Sequence, residues 1–172
     1  MRRLLTAATI LAAIPAAASA QDVTGTVTIN ATVAQKCLFT TPSATITIPE
    51  LAGADGKLDP ATVNGQTKTL VGWCNGTAAT MAVAATPITT AAPGGASFDN
   101  RVDYTATALA NAVSANDTST IAGAGTPQTV GVFSGDIVVT LSGAASPGGK
   151  LLLAGAYTGN VTVTLSPTVA LP

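Results

Sequence analysis

The side chains able to do chemistry are few in this chain. It has no histidine, eight acidic residues of which Glu50 is the one glutamate, seven basic residues and two cysteines, Cys37 and Cys74. A Ser-His-Asp triad and a histidine-ligated metal centre are thereby excluded, and a paired-carboxylate site would have to be built from aspartates alone. The near-balanced formal charge of -1 lacks the clustered Lys and Arg excess that nucleic acid demands. Asp55-Gly56-Lys57-Leu58-Asp59 lacks the Asp-x-Asp-x-Asp-Gly spacing of a calcium loop and reads as a solvated turn. No catalytic residue, metal ligand or cofactor site is expected, and the chain is read as a non-enzyme.

Cysteine chemistry remains. Two isolated thiols without histidine cannot complete a metal shell, so the choice is a disulfide or two free buried thiols. An N-terminal export signal favours the disulfide. Arg2 and Arg3 form a positive start, residues 4–14 an apolar run, and Ala18-Ser19-Ala20 a small-x-small cleavage site, so residues 1–20 are expected to be removed. The apolar run is shorter than the roughly 20 residues that span a bilayer, so no membrane span is expected in the mature chain. In an oxidising compartment a Cys37–Cys74 bridge would remove denatured-state entropy worth about 4 kcal/mol in the chain-entropy model.

The elements that position these residues read as strands. From 23 to 33 the odd positions are Val23, Gly25, Val27, Ile29, Ala31 and Val33, and the even ones are Thr or Asn. That is a long strand with one apolar face. A similar alternation runs from Tyr157 through Val161, Val163 and Leu165. Shorter strands are expected at 44–48, 67–73, 80–86, 102–109, 129–133 and 136–141, separated by Asp-Gly, Asn-Gly and Pro-Gly-Gly turn signals. Residues 111–128, rich in Ala, Ser, Gly and Thr, read as a flexible loop, with 109–115 a candidate helical turn. Asp99, Arg101 and Asp103 share one strand face and read as a solvent-facing edge. Trp73 reads as packing over the disulfide or, alternatively, as a sugar-stacking platform. Phe39, Phe98, Phe133, Tyr104 and Tyr157 are the other large anchors. The fold class is all-β, an antiparallel β-sandwich.

The order of these features resembles the archaic chaperone-usher pilins, the family with the spore coat protein U-like domain. Asp22 to Val33, with Gly25 early in the alternation, runs into Cys37. Cys74-Asn75-Gly76-Thr77 matches the second cysteine's Cys-x-Gly-Thr setting, and Ala154-Gly155-Ala156-Tyr157 through Val161, Val163 and Leu165 matches the closing strand. The resemblance implies an immunoglobulin-like sandwich lacking its last strand, with domains 1–20 (signal), 21–35 (donor strand) and 36–172 (sandwich).

The implied function is a structural subunit of a fimbria at the surface of a Gram-negative bacterium. Its partners would be copies of itself or related pilins, a periplasmic chaperone and an outer-membrane usher. Each subunit's N-terminal strand would fill the open groove of a neighbour by β-strand addition. On that reading Val23, Val27, Ile29, Ala31 and Val33 are plugs contributing about 1.5–3 kcal/mol each, on the order of 10 kcal/mol together. Gly25 would pass a tight spot, and a one-residue slip would drive threonines into the groove. Periodicity alone serves equally a strand paired in cis within its own domain. The contrasting function is a self-contained secreted sandwich acting as adhesin, coat protein or carbohydrate-binding module. Residues 166–172, carrying Pro167 and Pro172, extend past the family's usual end.

Overall fold

Thr, Val and Ile at period 2 leave little choice but extended chain, and antiparallel sheet dominates the computed structural model, which describes residues 21–167. The proposed signal residues and 168–172 lie outside the described residues. The chain divides into two units, residues up to Thr32 and residues from Val33 onward.

In the second unit the strands are β1 (Cys37–Thr41), β2 (Thr67–Cys74), β3 (Thr80–Ala85), β4 (Ile88–Thr89), β5 (Phe98–Asp99) and β6 (Arg101–Ala110). They continue with β7 (Val113–Thr118), β8 (Gln128–Thr129), β9 (Phe133–Ala145), β10 (Leu151–Leu152) and β11 (Val161–Ser166). A larger antiparallel sheet runs β1-β2-β9-β6-β4, with β7 also paired to β6. A smaller one runs β11-β3-β8, and β5 with β10 makes a short parallel ribbon. The result is an all-β sandwich.

Its core lies between the inward faces of the two sheets. Ile137, Val139 and Leu141 of β9 and Val102, Tyr104, Ala106, Ala108 and Ala110 of β6 are buried, as are Met81, Val83 and Ala85 of β3. The alanines of β6 keep this part thin. Close approach also explains Gly72 on β2. A Cβ there would stand 3.0 Å from the Leu38 carbonyl and 3.3 Å from Leu165 of the opposite sheet. The expected disulfide joins Cys37 to Cys74, which are directly paired across β1 and β2.

Four local expectations are corrected. Residues 111–128 contain strand β7, and 109–115 is a hairpin rather than a helical turn. Asn111 and Ala112 take φ of 48° and 60°, the left-handed geometry that a two-residue hairpin turn requires. Strand β6, carrying Arg101 and Asp103, is interior to its sheet, and Asp103 is buried. It accepts from Arg101 Nε at 2.8 Å and from Ser119 Oγ at 3.1 Å. Asp99 belongs to β5 and serves a separate loop. Trp73 pairs with Leu38, one residue out of phase with the cysteine pair, so it stands on the opposite sheet face and cannot cover the disulfide. Asp55 does close a turn, its Oδ1 accepting from Lys57 N at 3.0 Å with Gly56 at φ 76°.

Candidate functional site

Residues 42–50, Pro-Ser-Ala-Thr-Ile-Thr-Ile-Pro-Glu, have the alternation of a strand, and 44–48 was an expected one. Yet this segment joins no ladder among the described residues. Pro42 and Pro49 bracket it, each lacking a backbone donor. Ile46 and Ile48 are half-buried and point toward the core, while Ala44, Thr45 and Thr47 are exposed.

Strand β11 stands in the same condition. It pairs with β3 along one edge, and its other edge has no partner among the described strands. Along it Val161, Val163 and Leu165 are half-buried against the core and Thr162, Thr164 and Ser166 are exposed. The expected strand 157–165 therefore contracts to Val161–Ser166, preceded by an isolated bridge between Thr158 and Thr89.

Both unpaired segments line one open cleft of about 1100 Å³. Its lining includes Ile46 and Ile48, Val161 and Val163, and Leu70, Val139, Leu141 and Tyr104. This volume exceeds the roughly 300–1,000 Å³ usual for small-molecule pockets. The charged residues of the lining are Glu50 and Lys68. Glu50 is already engaged, its Oε1 accepting from Leu51 N and Ala52 N at 3.0 Å.

Tyrosine hydroxyls tether one side of the cleft. Tyr104 donates to the Asn160 carbonyl at 3.1 Å, and Tyr157 to the Leu153 carbonyl at 2.9 Å and the Asp99 carbonyl at 3.3 Å. Burial, with the nearby Asp117 charge adding to it, pushes the Tyr104 phenol up to about 12. Burial likewise raises Tyr157. Asp99 holds the turn after β9: its Oδ2 accepts from the Ser146 hydroxyl, from Gly148 N at 3.0 Å and from Lys150 N at 3.2 Å. These bonds, the one from Ser146 foremost, lower the Asp99 carboxyl below its ordinary value.

What the cleft offers is apolar side chains beside two segments, residues 42–50 and the outer side of β11, that have no ladder partner among the described residues. Such an arrangement binds an extended chain, with hydrogen bonds along both edges and alternate side chains in the floor.

Residues 23–33, expected as a long strand, form no ladder in the described structure. Val23, Val27, Ile29 and Val33 are 86–94% exposed, and Ala31 is exposed as well. Open space surrounds Gly25, so any crowding that calls for glycine there must come from another surface. The residues that sequence reasoning missed are Ile46, Ile48 and Leu70. Each was visible as an apolar position, but nothing in the alternation said that its cover was absent.

No family model, curated protein or solved structure matches the chain. Among the described residues no helix is long and apolar enough to cross a membrane.

Proposed function

We propose that this protein is a structural, non-catalytic subunit of an extracellular fibre, exported through the periplasm and assembled by donor-strand exchange with a chaperone and an outer-membrane usher as partners. One observation carries the reading: among the described residues, an open cleft is lined by two segments without a ladder partner, and a separate alternating segment leaves its apolar positions exposed. Each is costly alone. Exposed Val and Ile face water, and unpaired strand edges invite association. Val23, Val27, Ile29, Ala31 and Val33 of one copy would lie over the Ile46, Leu70 and Val163 surface of the next, and ladder bonds to residues 43–49 and β11 would fix the register.

The test is full-length protein expressed with a periplasmic chaperone and analysed unboiled in SDS. A ladder that collapses on boiling is expected, and Val27→Asp combined with Ile29→Asp abolishes it while leaving the melting of the monomeric sandwich unchanged. A wild-type chain that stays monomeric under these conditions, or a doubly substituted one that still forms the ladder, sinks the proposal.

A further inference from the structure

Period-2 alternation settles which face of an inserted strand turns inward, but not where the strand sits along the cleft. Moved by two residues, Val23, Val27, Ile29, Ala31 and Val33 still face inward and exchange one aliphatic contact for another. Ladder bonds hold a seated strand in register, yet they too repeat every second residue. A unique register needs one feature in the cleft and one in the strand that fit each other alone. The geometry points to Lys68 and to Gly25 of the incoming copy as that pair, an inference that rests on the donor-strand reading above.

Lys68 is out of keeping with its surroundings. On β2 it pairs with Val139 of β9, and cross-strand partners share a sheet face, so it stands on the inward face with Leu70, Gly72 and Cys74. Val139 is 7% exposed, whereas Lys68 is exposed and lines the cleft. The ladder from β1 meets β2 over Val71–Cys74, so among the described residues no strand pairs with Lys68 on that side. Its ammonium is also uncompensated, because the ion pairs among the described residues are Arg101–Asp103 and Lys150–Asp99.

A lysine in this position lays its four-carbon stem along apolar surface and keeps its charged head in water. A strand that set a Val or Ile side chain over it would bury the ammonium without a partner, which is costly. A glycine leaves the head a way out. From 23 to 33, Gly25 is the one inward-phase residue without a side chain. Nothing in its own copy stands within 4 Å of where a Cβ would be, so the demand for glycine comes from the receiving surface. Tyr104, another long side chain of the lining, is buried with its hydroxyl on the Asn160 carbonyl, which leaves Lys68 as the group that projects. With Gly25 over Lys68, Val23 and Val27 fall about 7 Å to either side. A slip by two residues in either direction sets one of those valines on the ammonium.

The experiment measures capture of a labelled synthetic peptide of residues 21–33, and of its Gly25→Val form, by full-length wild type and by Lys68→Ala. Valine is the better strand former, so without a clash the substituted peptide would bind more tightly. Wild type is expected to prefer the glycine peptide by on the order of tenfold, and Lys68→Ala to abolish or reverse that preference. Lys68→Met, which keeps the stem and loses the charge, falls between. Because Lys68 is exposed, neither substitution is expected to alter the melting of the sandwich. No preference for glycine in wild type, or an equal one in Lys68→Ala, overturns the role of Lys68 and leaves the donor-strand reading standing. A wild type that captures neither peptide overturns both.

Discussion

Two regions of one sandwich are built from side chains of the same kind and differ in their cover. Around Met81, Val83, Ala106, Ala108 and Ile137 the sheets meet and these side chains are excluded from water. Across Ile46, Ile48, Leu70, Val161 and Val163, apolar groups of equal or larger size remain half-exposed beside two edges with no ladder partner. The fully buried set contains no Leu and no Phe; its largest member is Met81. A folding chain free to choose would bury its largest apolar groups first, since the gain scales with area. Along the cleft, part of the hydrophobic gain of Ile46, Ile48, Leu70, Val161 and Val163 is left unrealised.

Truncations on the two sides break or sharpen this contrast most strongly. Ile137→Ala removes a fully buried side chain and is expected to destabilise the monomer by about 3 kcal/mol through lost transfer energy and a residual cavity. Ile48→Ala, in the open region, is expected to cost the monomer about 1 kcal/mol or less, yet to weaken capture of a 21–33 peptide strongly. Denaturant unfolding of both variants, with peptide binding measured in parallel, checks the pair. Equal losses of stability at the two positions would mean that the cleft is closed in solution.

Much of the closed region was legible, because its strands alternate cleanly: Ile137, Val139 and Leu141 on β9, and Met81, Val83 and Ala85 on β3. Strand β7 was not, for a specific reason. Its inward positions are Val113, Ala115 and Asp117, and a buried aspartate breaks the apolar pattern. Asp117 is tolerated because its Oδ2 accepts from Ala85 N at 2.8 Å, a partner that lies 32 residues away and leaves no trace in local sequence. The cleft was half legible. The donor alternation and the strand pattern of residues 44–48 were both plain, but pairing is a property of neighbours, and period 2 is identical in a paired strand and an unpaired one. Trp73 shows the same limit, since adjacency to Cys74 in sequence placed it on the opposite face in space.

Tyr104 sits where the two regions meet, its ring buried in the core and lining the cleft, its hydroxyl on Asn160. Tyr104→Phe removes that bond and is expected to cost about 1 kcal/mol near neutral pH. The alkaline limb is the sharper readout. Because the folded phenol titrates at about 12 against an ordinary 10.0, its contribution is complete below pH 10 and is lost as pH rises toward 12. Wild type should therefore lose more stability than Tyr104→Phe between pH 10 and 12, with Tyr157 contributing equally to both. Parallel curves over that interval would show that the hydroxyl is hydrated and that the cleft reaches deeper than Tyr104.

The smallest effect is expected at Asp99. Its carboxylate gathers Ser146, Gly148 and Lys150, with Lys150 Nζ at 4.0 Å, and so fixes the turn that leads into Leu152 and Leu153 of the cleft lining. The folded carboxyl lies below the ordinary 3.8, so its stabilisation is present above that value and is lost as pH falls through the folded one. Hydrogen exchange at residues 146–150 should quicken selectively in acid in wild type, after correction for intrinsic rates. In Asp99→Asn it should already be fast at pH 7 and change little further, because a neutral amide supplies weaker acceptors than a carboxylate for these donors. If that turn loosens without any change in peptide capture, the end of the cleft near Leu152 lies beyond the reach of the bound strand, and binding is confined to the stretch between residues 43–48 and β11.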